Sequence, residues 1–186
     1  MEEARHEVRI AGGALRGRML KVLDAQGLRP TPDRVRESVF NWLGGSCEGA
    51  RVLDLFAGSG AMGLEAYSRG AASLTLVESN PECAQLLKEE TSGMAGVEVV
   101  EGDALSYIER AQGTFNLVFL DPPYRSGLLA KALRGLSSRC LIDASTLLYV
   151  EMSASDSISV PGYECLREQA AGQVKYALWK KSSLLL

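Results

Sequence analysis

The sequence predicts an α/β fold: a mainly parallel, seven-stranded sheet covered by helices on both faces, closed by an antiparallel C-terminal hairpin and preceded by a small N-terminal β-hairpin and helix. Three observations predict it. From Arg51 onward, apolar runs of strand length alternate with stretches of helical period, the pattern of successive β-α units in a sheet buried on both sides. A glycine-rich turn, Gly58-Ser59-Gly60-Ala61-Met62-Gly63, joins the first of these runs to the first of these helices. The last two runs, Tyr163 to Arg167 and Val174 to Lys180, are separated only by Glu168 to Gln173, too little chain for the crossover that a parallel pair requires.

Taken in order, Val8 to Ile10 and Arg18 to Val22 read as short strands around Gly12-Gly13 and Gly17, a β-hairpin. Leu28-Arg29-Pro30-Thr31-Pro32-Asp33 reads as a turn into a helix. Thr31 is the expected cap, Pro32 suits the first helical position, and Asp33 favours the positive end of the helix dipole. Val35, Val39, Trp42 and Leu43 recur at helical spacing, so one face of this helix lies on the body, and Gly44-Gly45 ends it. Strands are expected at 51–56, 73–78, 97–101, 115–120 and 146–151, and helices at 61–69, 81–92, 104–111 and 127–137.

Composition narrows the function classes. At 186 residues the chain suits one domain with a small appendage. Its longest apolar stretches are strand-sized, and Met1 to His6 lacks the apolar segment of a signal peptide, so the cytoplasm is the expected location and no membrane partner is expected. Cys47, Cys83, Cys140 and Cys165 are widely spaced and only one histidine, His6, accompanies them. Neither a metal site nor an iron-sulfur cluster is expected from that spacing. Net charge is −3, yet residues 5 to 36 carry Arg5, Arg9, Arg16, Arg18, Lys21, Arg29, Arg34 and Arg36 against Glu7, Asp24 and Asp33. A basic N-terminal face on an acidic body is the footprint of a docking polyanion; a solvated, arginine-rich hairpin accounts for the charges equally well.

Chemistry concentrates after the strands. Asp121-Pro122-Pro123-Tyr124 follows the apolar run Phe115 to Leu120. Two prolines stiffen the turn, so the Asp121 carboxylate and the neighbouring carbonyls form a rigid acceptor set for a planar amino group, with Tyr124 as a stacking face. Gly58, Gly60 and Gly63 satisfy G-x-G-x-x-G, and Glu78 lies at the end of the next strand, which is also the dinucleotide fingerprint. Asp54 chooses between cofactors. A carboxylate beside the helix N-terminus repels a pyrophosphate but favours the ammonium and sulfonium of S-adenosylmethionine (SAM). Asp54, Phe56, Ala57, Gly58, Ser59 and Gly60 are therefore assigned to the cofactor loop, and Glu78 to the ribose hydroxyls. Each acid also has a plainer role available: Asp54 as a helix cap, Glu78 as a surface charge, Asp103 as the N-cap of the helix at 104–111.

These segments carry a resemblance. Asp/Asn-Pro-Pro-aromatic tetrapeptides occur in SAM-dependent amino-methyltransferases, and the strand order expected here resembles the class I, Rossmann-like methyltransferase fold. In that pattern Asp103, beside Ala104, accepts from the adenine amino group. Arg9-Ile10-Ala11-Gly12-Gly13, Arg16-Gly17-Arg18, Leu28 to Leu43, Leu53 to Gly63, Glu65-Ala66, Ser68-Arg69-Gly70-Ala71 and Asp121 to Tyr124 together look like the RsmD family, bacterial small-subunit rRNA guanine-N2 methyltransferases. The resemblance implies SAM as methyl donor without a metal, and a guanine of 16S rRNA in the small subunit as acceptor. Tyr124 stands where many members of the family have Phe, which preserves stacking.

On this reading residues 1–45 form a basic extension that touches RNA or covers the cofactor, and 46–186 the methyltransferase domain. Asp121, Pro122, Pro123 and Tyr124 carry catalysis, and Arg9, Arg16, Arg18, Arg34 and Arg36 face RNA. For Arg34 and Arg36, ordering of the cofactor pocket is the alternative. A monomer is expected. Competing readings are a DNA adenine-N6 or protein glutamine-N5 methyltransferase, a non-catalytic SAM-binding ribosome assembly factor, and an NAD-dependent oxidoreductase.

Overall fold

A computed structural model describes residues 6–23, 31–157 and 162–182. The sequence expectations for the signal-free N-terminus, for Arg5, Asp24 and Arg29, and for the Leu28 to Pro30 half of the turn lie outside the described residues.

Strands β1 (His6–Arg9) and β2 (Met19–Val22) pair antiparallel as a separate two-stranded sheet. Helix α1 (Asp33–Leu43) follows, and Gly44 breaks it into a short 3-10 turn, Gly44–Cys47. The body then alternates β3 (Arg51–Asp54), α2 (Ala61–Ser68), β4 (Ser73–Glu78), α3 (Pro81–Glu90), β5 (Val97–Glu101), α4 (Ala104–Arg110), β6 (Leu117–Leu120), α5 (Leu128–Ser138) and β7 (Leu147–Ser153). Strands β8 (Tyr163–Ala171) and β9 (Val174–Lys181) close it.

The seven-stranded sheet runs β5-β4-β3-β6-β7-β9-β8. Strands β3 to β7 are mutually parallel, and β9 lies antiparallel between β7 and β8. The final hairpin is tighter than the sequence suggested. Glu168 to Ala171 continue β8 against β9, so only Gly172 and Gln173 turn the chain.

Period-2 alternation divides the sheet's side chains between two layers. Val52, Leu74, Leu76, Leu117, Phe119, Tyr149, Tyr176 and Leu178 share a core with the N-terminal hairpin, α1 and α2. Leu53, Leu55, Val77, Val118, Leu120, Leu148 and Val150 face α4 and α5. The N-terminal hairpin and α1 thus add apolar side chains to that core: Ile10, Leu20, Val35, Val39 and Phe40 are buried in it.

The hairpin is held by α2. Glu65, 1% exposed, accepts the backbone N–H groups of Ala11 and Gly12 and pairs with Arg69. The Ser68 hydroxyl donates to the Gly12 carbonyl, and the Ser68 carbonyl accepts from Ala14. Gly13 permits this approach: its φ is +78°, and a Cβ there would lie 1.8 Å from the Ser68 oxygen.

Candidate active site

Strand order reverses between β3 and β6, and in open parallel sheets the crevice beyond the carboxyl ends at such a point takes the ligand. Asp54 ends β3, Glu78 ends β4, and Asp121 follows the last residue of β6. Asp54, Asp121 and Glu151 each lie two residues beyond a side chain of the helix α1 layer, namely Val52, Phe119 and Tyr149. The strand period therefore turns all three carboxyls to that same face.

The glycine loop is built by backbone bonds. Ala57 donates to the Val77 carbonyl and Gly60 to the Ala57 carbonyl. Gly58 and Gly60 adopt φ of 54° and 76°, the left-handed region. Glu78 spans the loop: Oε2 accepts from Gly58 N at 2.6 Å and Oε1 from Asn80 N at 2.8 Å. Phe56, Gly58 and Ser59 are half-buried, whereas Ala57 and Gly60 are buried.

Asp54 is 4% exposed, and its Oδ2 accepts from Gly63 N, within the first turn of α2, at 3.0 Å. Burial pushes its carboxyl up to about 7, against the pull of that hydrogen bond, with Glu78 adding like-charge repulsion. The helix-cap role is thus present at Asp54. It places a carboxylate where a dinucleotide would set its pyrophosphate. Asp103 caps α4, its Oδ2 accepting from Ser106 N, and Ala104 begins that helix, buried.

Asp121 is half-buried and Pro122 buried, while Pro123 and Tyr124 are exposed, Tyr124 by 50%. The Pro123 carbonyl accepts from the Ser126 hydroxyl. Among the described residues, nothing donates to the Pro122 carbonyl or the Asp121 carboxyl. Burial, then Glu151 and Asp54, raise the Asp121 carboxyl well above the usual carboxylate range.

Glu151 is a site residue that the sequence reading passed over. It is 7% exposed within β7, and its Oε2 accepts from the Tyr149 hydroxyl at 2.9 Å and the Thr31 hydroxyl at 3.3 Å. The available signal was an acid inside the apolar run Leu147 to Met152, since a buried charge needs partners. Thr31 corrects an expectation too. The N-cap of α1 is Pro32, without a side-chain cap bond, because the Thr31 hydroxyl is engaged by Glu151.

The five arginines divide. Arg9, Arg16 and Arg34 are exposed. Arg18 pairs with Glu90 and donates to its carbonyl, tying the hairpin to α3. Arg36 is 3% exposed, with Nη2 donating to the Arg9 carbonyl and to Asp33. Burial sets Arg36 back from the solvent-exposed surface, and there it ties α1 to β1.

A family model described as "Conserved hypothetical protein 95" matches residues 8–180. Ribosomal RNA small subunit methyltransferase D of Escherichia coli K12 is 44% identical over 95% of this chain and 91% of its own length. Its namesake in Haemophilus influenzae is 37% identical over 95% of each. A solved Escherichia coli chain, yhhF, superposes with a TM-score of 0.87 at 38% identity, over 96% of this chain and 99% of that one. With a family model spanning nearly the whole chain and a relative this similar along its length, the chain belongs to the conserved hypothetical protein 95 family, that of ribosomal RNA small subunit methyltransferase D.

Proposed function

We propose that this protein transfers a methyl group from SAM to the exocyclic N2 amino group of a guanine in 16S rRNA of the small ribosomal subunit, working in the cytoplasm as a monomer. The observation that carries the reading is Asp121 at the strand-order reversal, with its carboxyl and the Pro122 carbonyl both free of donors among the described residues, beside the half-exposed Tyr124 ring. The names of the relatives support rRNA as the substrate class.

The donor-binding residues fit SAM. Asp54 supplies negative charge for an ammonium, Glu78 and Asp103 supply acceptors for ribose hydroxyls and the adenine amino group, and Phe56 to Gly60 with Ala104 line the bed. When bound, SAM supplies a methyl group on positively charged sulfur. The guanine amino lone pair is conjugated with the ring and must leave that conjugation to attack. Asp121 and the Pro122 carbonyl accept the amino hydrogens and favour the pyramidal nitrogen, a preorganised electrostatic contribution. Tyr124 stacks on the unstacked base, worth about 1–3 kcal/mol. Residues 1–45 offer Arg9, Arg16 and Arg34 to RNA phosphates.

The test is incubation of the purified protein with labelled SAM and unmodified small subunits, followed by mass spectrometry of the RNA nucleosides. N2-methylguanosine in 16S rRNA is expected. Absence of any methylated guanosine despite tight SAM binding would move the reading to a protein-glutamine acceptor or to a binder without turnover.

A further inference from the structure

We propose that Glu151 is a positioning residue for Asp121: the two carboxyls hold one proton between them in the donor-free site, with the charge seated on Glu151 and the proton on Asp121. The inference rests on the amino-methyltransferase reading above and concerns how that site prepares its acceptor.

The geometry puts the two groups side by side. Strands β6 and β7 are parallel neighbours whose last registered pair is Leu120 with Val150, so Asp121, the residue directly after β6, and Glu151, the next residue of β7, follow level positions. Both follow residues of the same sheet face, Phe119 and Tyr149. Two adjacent carboxyls, one buried and one half-buried, cannot both ionise at low cost, so one keeps a proton.

Hydrogen bonding decides which one. Glu151 accepts from two hydroxyls, those of Tyr149 and Thr31, on a single oxygen. Asp121 accepts from no described residue. Donors favour the ionised form, so the negative charge settles on Glu151 and Asp121 keeps the proton. Among the described residues, the other charged or titratable groups near the pair are Asp54 from β3, which adds to the repulsion at Asp121, and Tyr149 and Tyr176 from β7 and β9. Tyr149 remains a neutral donor because burial and Glu151 push its hydroxyl well above the usual phenol range.

A protonated Asp121 cannot take hydrogens from an amino group. Asp121 gives its proton to solvent when the cationic donor is bound, because positive charge on sulfur favours the carboxylate. During methyl transfer the nitrogen lone pair forms the new N–C bond, and the C–S pair stays on sulfur. Asp121 then receives the proton that the amino nitrogen releases. Thr31 gives the device a second consequence: the segment leading into α1 is one of the two donors, so the N-terminal extension is tied to the proton state of the acceptor residue.

The test counts protons rather than product. Calorimetry at neutral pH in buffers of different ionisation enthalpy gives the protons released on binding SAM and on binding S-adenosylhomocysteine, which shares the ammonium group but lacks the charge on sulfur. Wild-type protein should release more protons with SAM. Glu151→Gln, which preserves an acceptor for Tyr149 and Thr31, should shrink that difference and move the acid limb of the methylation pH profile to lower pH. Tyr149→Phe should move the limb the same way by a smaller amount, because it strips a donor from Glu151 without altering a carboxyl, and it serves if Glu151→Gln does not fold. Equal release with both ligands in wild-type protein, or variant profiles that merely drop in height, would overturn the inference. Failure to bind SAM at all would instead sink the functional reading beneath it.

Discussion

Asp54 and Asp121 carry the same functional group, and their surroundings separate the roles proposed for them. Asp54 is anchored to the α2 N-terminus by Gly63 N, while among the described residues Asp121 has no such anchor, and Glu151 repels its charge. Asp121→Ala should therefore lower turnover by about a hundredfold or more, as loss of a preorganised transition-state contact does, while SAM affinity stays near its wild-type value in equilibrium titration. Near-normal turnover would remove Asp121 from the chemistry. Glu78→Ala should behave in the opposite sense. It removes an acceptor at the cofactor loop and frees Gly58 N and Asn80 N, so SAM binding should weaken about tenfold or more, the worth of one charge-assisted hydrogen bond. Unchanged affinity would make Glu78 a loop strut alone. The exposed tetrapeptide ring at Tyr124 lay in plain view of the sequence, whereas the partners of Glu151 did not. Its importance comes from Tyr149, two residues away, and Thr31, far away in sequence, and no local pattern joins them.

The N-terminal hairpin is an element whose position comes from α2. Glu65 gathers Ala11 N, Gly12 N and Arg69 Nε on one buried carboxylate. Glu65→Ala leaves those donors without their acceptor, so stability should fall by about 3 kcal/mol. Chemical denaturation measures it, and a loss near zero would show that the hairpin docks by apolar contact alone. Arg9 and Arg16 of this segment and Arg34 of α1 are all exposed. Neutralising these three should weaken RNA binding and flatten its salt dependence by about one unit of slope for each phosphate that an arginine no longer neutralises. An unaltered slope would return them to a solvated face. Arg18 and Arg36 carry the same charge in the sequence. Only the packing against α3 and β1 separates them from the exposed three.

Across the whole molecule, the buried acids make donor-free stability depend on pH. Asp54 holds its proton more tightly folded than unfolded, its carboxyl rising from 3.8 to about 7. Asp121 and Glu151 shift in the same direction. The folded state therefore binds more protons than the unfolded chain in this range, and stability falls as pH climbs from about 4 toward 7. Thermal melts across that range should show the decline, and Asp54→Asn should reduce its slope; a variant with the wild-type slope would show that Asp54 does not titrate there. The alternation of strands and helices, the glycine loop, the proline tetrapeptide and the acids at strand ends were all readable in the sequence, because each depends on spacing along one stretch of chain. Strand-end acids such as Asp54, Glu78 and Asp121 follow from the parallel order alone. Tertiary structure decided what depends on distant partners: the continuation of β8 to Ala171 is set by its pairing with β9, and Thr31 leaves the cap position for a carboxylate on β7. It also decided the burial of Arg36 and the level placement of Glu151 beside Asp121. Period and turn chemistry are properties of neighbouring residues, whereas the proton state and exposure of a charge depend on whatever the fold brings against it.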